Sequence, residues 1–530
     1  MSVRLPIFPL SPAEVDADLF GRLAEGLFEV GSVDVEEDTH CLIARAGSVV
    51  IETDRASGGI WAADEKQLWN ADAEPSLPSE REVGPRASEL LAAFDLLPAF
   101  SEEAFFSLTS LPIGGTRVAE QTKGERRTRM LDVQARWAVG VNNPGVPGQP
   151  DLLPVVGGGG KFALALGDGG RPIAYRGLWR HAGRPFEADA LDLSEAQERL
   201  RELTKDVELC EPWGYLAYHS APFGAEQSML TPVWVFGGTI RVGRQEMASR
   251  MITIPATEHG PFYAKPQPQE RRQRKPGQLV LRSRRGTGDE GTKEAGTSWI
   301  GLSGGLGGSQ QNARGFVDGL AADGWTVRFN WGDGNAWESD WRRNDDTWVD
   351  AADFVFYTGH ADKDSWMLAS PDDGSLTASE VGAAPAAASG DLWGRQDLEW
   401  VIVAACGPLQ DEVISDGGGS VLSRWDGAFD GLHVLMGYGA ITFDNEEEGE
   451  RIVRYATQGT RVIDAWFRTA QEIQPGTNGA DPPNGPTVWV GAMWVTKSGV
   501  DPRNDHIWGH GSVSGDPTSP TTLICMWTTC

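Results

Sequence analysis

Short apolar runs, each bounded by Gly or polar residues, recur along the second half of the chain at 299–302, 325–329, 354–357, 400–403, 432–436 and 487–492. Runs of four to six apolar residues without strict alternation predict strands buried on both faces. Between them the spacing becomes helical. Ala313, Phe316, Val317 and Leu320 share one face before Gly324, and Ile452, Val453 and Tyr455 precede Val462, Ile463, Trp466 and Phe467 across a break at Gly459. Alternating strand and helix over about 200 residues predicts a mainly parallel sheet covered on both faces. The fold class read for this half is α/β.

The first half is patterned differently. Runs at 42–45, 49–53 and 60–62, separated by Ala46-Gly47 and Ser57-Gly58-Gly59, predict a meander, and Ala87, Leu90, Leu91 and Phe94 predict a helix ending before Pro98. A second α+β unit has strands at 162–166 and 173–179 around Gly167-Asp168-Gly169-Gly170. It adds a helix opened by Ser194 and Gln197 as a capping box, and strands at 230–236 and 251–255. Pro and like charge then fall together in 266–276. The expected division is an α+β module over 1–112, a second over 113–262, a flexible basic linker over 263–297, an α/β domain over 298–510 and a tail over 511–530. The exposed linker is also a candidate cleavage site.

The third and fourth strands of the α/β half each end in a residue that can do chemistry: Tyr357-Thr358-Gly359-His360-Ala361 and Val403-Ala404-Ala405-Cys406-Gly407. The carboxyl edge of an open parallel sheet is where such folds place their sites. An imidazole beside a thiol can take its proton, which makes the thiolate nucleophile, and can later protonate a leaving group.

A six-strand pattern with His closing the third strand and Cys closing the fourth resembles the caspase–hemoglobinase fold of caspases, metacaspases, gingipains and CHAT peptidases. The resemblance spans about 298–510. It implies a caspase-like six-stranded, mainly parallel sheet flanked by helices and preceded by the α+β modules, with peptide-bond hydrolysis by a Cys/His dyad. In that reading His360 is the general base and acid, Cys406 the nucleophile, and the backbone N–H groups of Ala361 and Cys406 the oxyanion hole. Ala361 stands where that superfamily has Gly, and Ala404 where caspases have Gln. The 113–262 pattern, with its Pro-Val-Trp-Val-Phe run, resembles pro-regions of some bacterial peptidases, which implies a regulatory or docking role.

Composition narrows the partners. The 530 residues carry 46 Lys and Arg against 75 Asp and Glu, a formal net charge of −29. That balance argues against nucleic acid and anionic membranes, and no apolar run approaches the ~20 residues of a membrane span. A cytoplasmic location is expected. The five cysteines, Cys41, Cys210, Cys406, Cys525 and Cys530, form no CxxC, and their odd number suits reduced thiols. The expected partners are a protein or peptide substrate, with a basic residue favoured by the acidic charge, an activating partner, and further copies of the chain. The rival function is a catalytically silent caspase-like scaffold that self-assembles.

Other signals are weaker. The turn from Gly304 to Ser309 lacks the pattern and the Lys of a phosphate loop. Asp333, Asn335 and Asp340, or Asp372 and Asp373 with Glu380, offer oxygens to a hard cation without matching a calcium loop. His506 and His510 are spaced like half a metal site, and His433 reads as structural. Asp444 to Glu450 reads as a solvated acidic helix start. No metal or cofactor is expected.

Overall fold

A computed structural model describes residues 3–11, 17–31, 33–100, 105–242, 245–273, 275, 292–369, 374–381, 393–481 and 483–530. Asp372 and Asp373, and residues 274 and 276–291 of the stretch expected as a linker, lie outside the described residues.

In the first half the meander forms as β1 (Cys41–Ala46), β2 (Val49–Asp54) and β3 (Ile60–Asp64). Helix α1 (Glu80–Ala93) is capped at Ser79, and Pro85 lies inside it. The long hairpin β4 (Gly114–Thr122) and β5 (Glu125–Asn142) follows, then β6 (Lys161–Leu166) and β7 (Pro172–Leu178). Helix α2 (Leu193–Leu203) is capped by Asp192 with Glu195, two residues earlier than the Ser194 box predicted. A hairpin of β8 (Glu208–Ser220) and β9 (Met229–Val242) leads to β10 (Ile252–Pro255), which pairs with β9.

The second half contains β11 (Glu294–Trp299), α3 (Ser309–Ala322), β12 (Thr326–Gly332), β13 (Phe354–Thr358), β14 (Trp400–Ala404) and β15 (Val434–Tyr438). Helices α4 (Glu448–Thr457) and α5 (Val462–Ile473) lead to β16 (Trp489–Thr496). The spatial order is β12-β11-β13-β14-β15-β16, with every neighbour parallel except β15 and β16. Side chains alternate between two buried faces. Phe354, Phe356, Trp400 and Ile402 join α3, α4 and α5 in one core, while Val355, Tyr357, Val401 and Val403 join the other. That second core holds much of the tryptophan: Trp341, Trp366, Trp393 and Trp425 pack ring on ring at 5.4 to 6.4 Å.

Two expectations are corrected. The first strand ends at Trp299 where the sequence placed its start. Its residues Glu294 to Ser298 are buried and pair with β12 and β13, so they do not belong to the 263–297 linker. The expected tail, 511–530, contains β17 (Thr522–Thr529), whose second half is buried and which pairs with β16 on one side and β4 on the other. Cys525 is therefore a buried thiol in the sheet, and Cys530 a buried thiol directly after its last strand. Because β17 bridges the halves, one hydrogen-bonded path runs from β1 through β7, β5 and β4 to β12. Leu523 to Trp527 is an apolar run, but it stands alone between Thr residues after a Gly-, Ser- and Pro-rich stretch, and it reads as part of a tail until its partners β16 and β4 are known. Among the described residues no helix is long and apolar enough to cross a membrane.

Candidate functional site

Thr358 of β13 lies opposite Ala404 of β14 in a parallel rung. His360 and Cys406 each follow by two residues, so both stand at the carboxyl edge of adjacent strands. Beyond Cys406 the chain turns at Gly407, whose φ of 79° is in the left-handed region where glycine is at ease. Ala361 is not among the positive-φ residues, so its methyl group imposes no strain there. It forms an isolated bridge with Trp366.

A residue of the first half occupies the space at these strand ends. Arg250, on the approach to β10, is fully buried. Its backbone N–H donates to His360 Nδ1 at 3.1 Å, while His360 Nε2 lies 2.7 Å from the Gly304 carbonyl, to which it donates. Both ring nitrogens are thus engaged, the neutral imidazole carrying its proton on Nε2. Burial pushes the His360 pKa down to about 4, with Arg250 acting in the same direction. No hydrogen bond joins His360 to Cys406 among the described residues.

The Arg250 guanidinium donates to Thr358 Oγ1 at 2.9 Å, to the Ala404 carbonyl at 2.8 Å and to the Phe443 carbonyl at 2.5 Å. It pairs with Glu448 at 3.3 Å. Burial alone would lower its pKa, but Glu448 and then Asp444 more than offset that, leaving it raised. Glu448 also accepts from Tyr438, Gln474 and Asn312. The 444–450 stretch is therefore a buried network at its core, correcting the solvated helix start that its acidity suggested. The segment is held in register by Met251 N–H donating to Thr442 O at 2.8 Å and by Asp444 N–H donating to Met251 O at 3.0 Å.

Cys406 is buried, and its sulfur accepts from the Thr442 N–H at 3.4 Å. Burial raises the thiol pKa, while the Thr442 N–H and the Arg250 charge work against that rise. One side of Cys406 faces a cleft of about 530 Å³ lined also by Arg117, Asp362, Gln410, Asn478 and Trp489.

The remaining candidates find structural partners. In the Gly304 to Ser309 turn region, the N–H groups of Gly301 and Ser303 go to Asp333, and that of Gly308 goes to Asp444, so carboxylates fill what a phosphate would need. Asn335 and Asp340 converge on the side chain of Arg272. His433 pairs with Asp505 at 2.6 Å, its pKa raised because the bonds to Asp505 and Asp516 outweigh burial, the largest single influence. His510 bonds Asp323 and His506 faces Ser512, so these two do not share a ligand. Among the described residues, carboxylates come within 4.8 Å in two groups, Glu294 with Asp353 and Asp397, and Asp345 with Asp346 and Asp350. Glu294 is already paired with Arg328.

Residues 291–529 match the family model described as "Domain of unknown function (DUF6345)". No curated protein matches the chain. Among solved structures, an uncharacterized protein from Eubacterium rectale ATCC 33656 aligns at 13% identity over 49% of this chain and 87% of its own, with a TM-score of 0.29.

Arg250, Thr442 and Glu448 were not singled out from the sequence. A lone Arg before an apolar strand and a Glu in an acidic run carry no local signal of burial, and their roles exist only where the two halves meet.

Proposed function

We propose that this chain is a latent, caspase-like cysteine peptidase whose dyad, Cys406 and His360, is capped by its own N-terminal half. The observation that carries the reading is the shared rung Thr358–Ala404, which sets an imidazole and a thiol side by side at the carboxyl edge. Five parallel strands in the order 2-1-3-4-5 with an antiparallel sixth, the His after the third and the Cys after the fourth, support the caspase-like form of the α/β sheet. In the released state His360 takes the Cys406 proton, the thiolate adds to the peptide carbonyl, and the N–H groups of Ala361 and Cys406 hold the oxyanion. His360 then gives its proton to the departing amine, and water cleaves the thioester, returning the thiol. The cap explains latency. Arg250 holds Nδ1 of the base, and the Thr358, Ala404 and Glu448 crevice it fills has the charge to take another basic side chain.

A second reading, a silent caspase-like scaffold, is favoured by the completeness of the Arg250 burial and by its bonds to two strand-end oxygens, of Thr358 and Ala404, and to the Phe443 carbonyl. A thiol-reactive peptidyl probe separates the two. The native chain should label slowly, whereas Arg250→Ala, or Met251→Pro, which removes the N–H given to Thr442, should label Cys406 ahead of Cys41, Cys210, Cys525 and Cys530. Adding His360→Ala should abolish that labelling. Labelling indifferent to His360 in folded variants, confirmed by near-ultraviolet circular dichroism, would establish the scaffold.

A further inference from the structure

A second arginine is held in another way. Along 264–271 every residue is exposed, and so are Gln273 and Lys275. Among the described residues of this stretch only Arg272 turns inward, its side chain 9% exposed. Its guanidinium lies 3.3 Å from the centre of the Trp331 ring and 3.7 Å from that of Trp337. It is thus sandwiched between two indoles, the arrangement that best suits a planar cation. Both guanidinium nitrogens reach the Asp340 carboxylate, at 2.5 and 3.2 Å, and one also donates to the Asn335 carbonyl at 3.0 Å. The Arg272 backbone N–H donates to Asn335 Oδ1.

The receiving side has supports of its own, and Asn335 also donates its side-chain amide to Gln269 and Glu270 of the segment. Trp331 packs on Phe329 and Trp348 at 5.1 and 4.5 Å, the Trp337 indole N–H donates to Gly334 O, and Asp340 is 1% exposed. Upstream, the linker is read by side chains. Gln310 bonds both the N–H and the carbonyl of Gln267, and the Gln269 amide oxygen accepts from Gly332 N–H. A cleft of about 730 Å³ remains beside it, walled by Gly301, Leu302, Leu306, Gln310 and Gly332. The buried Arg250 and Arg468 sit among buried neighbours, as structural arginines do. Arg272 is one anchor on an exposed segment, which is how extended peptides dock.

We propose that Trp331, Trp337, Asn335 and Asp340 form a receptor for an arginine side chain on an extended peptide, and that 264–273 is a tethered ligand filling it in cis. This does not rest on the peptidase reading, since binding needs neither Cys406 nor His360. A short tether supplies an effective concentration near millimolar, so the native chain should resist competitors and a chain without Arg272 should accept them.

The test measures anisotropy of a labelled peptide of residues 267–273 added to the full chain. Arg272→Ala should bind this peptide at least tenfold more tightly than the native chain does. It should also prefer it at least tenfold over the same peptide with Ala or Lys in place of Arg272, because a point charge cannot fill a planar slot. Adding Asp340→Asn should erase most of that preference. Equal binding of the three peptides, or equal binding by native and variant chains, would overturn the proposal. Arg272→Met, whose stem can remain between the indoles, guards against a folding defect. Loss of the folded state in both variants would also overturn it, since a displaceable ligand cannot be required for folding.

Discussion

The backbone N–H of Arg250 donates to Nδ1 of His360 at 3.1 Å, across the boundary between the two halves of the chain. A single main-chain group from the first half thereby fixes the tautomer of the candidate base in the second. The consequences can be measured without knowing a substrate.

Removing the guanidinium leaves the fully buried Glu448 without its cation. Breaking one partner of such a pair costs on the order of 3–5 kcal/mol, whereas replacing both with neutral groups of similar size is often close to neutral. Arg250→Ala should lower the urea midpoint sharply, and Arg250→Met combined with Glu448→Gln should recover most of the loss. A double variant as unstable as the single one would show that the other Arg250 hydrogen bonds dominate.

His360 titrates at about 4 in the folded state, below its unfolded value near 6.5. The unfolded chain therefore binds more protons between those values, and stability is complete above pH 6.5 and declines as pH falls toward 4. The share of a fully buried imidazole shifted this far is ~3 kcal/mol. His219, also held to about 4 by burial, loses stability over the same window. His360→Asn should flatten the slope of unfolding free energy between pH 6.5 and 4 without abolishing it. An unchanged slope would mean that His360 is protonated or solvated in the folded chain.

The 522–530 segment is a sheet strand, so its deletion should be severe. Removing it exposes the ladders of β16 and β4 together and empties core positions held by Met526 and Trp527. The truncated chain should fail to accumulate as soluble protein with native near-ultraviolet circular dichroism. A shift below about 0.5 kcal/mol, as for surface changes, would restore the reading of a tail.

Gly407→Ala tests the turn that presents Cys406. A Cβ there would lie 3.2 Å from the Asp362 carbonyl carbon and the Lys363 nitrogen, on a backbone at φ 79°. The left-handed conformation alone costs ~1–2 kcal/mol for an alanine. Thermal unfolding should report a loss of at least that size.

Much of the second half was legible in sequence because strands buried on both faces must be written as apolar runs, and because Gly324 and Gly459 mark chain reversals that only glycine takes easily. The same logic found His360 and Cys406. It failed where a strand's burial comes from a distant partner, as for Glu294–Trp299 and Thr522–Thr529, and where a polar side chain is buried by pairing. Asn335 and Asp340 were noticed as oxygen ligands, but the cation they meet is Arg272, some sixty residues earlier in the chain.

The sequence by itself determined the α/β alternation, the meander before it, and the placing of an imidazole and a thiol at the ends of consecutive strands, since periodicity and turn residues are local properties. Only the tertiary structure decided that Arg250 lies across those strand ends, that β17 welds the halves into one sheet, and that Arg272 is caged by two indoles. Each of these depends on a contact between segments far apart in the chain, and the free energy of such a contact belongs to the pair and is written in neither segment alone.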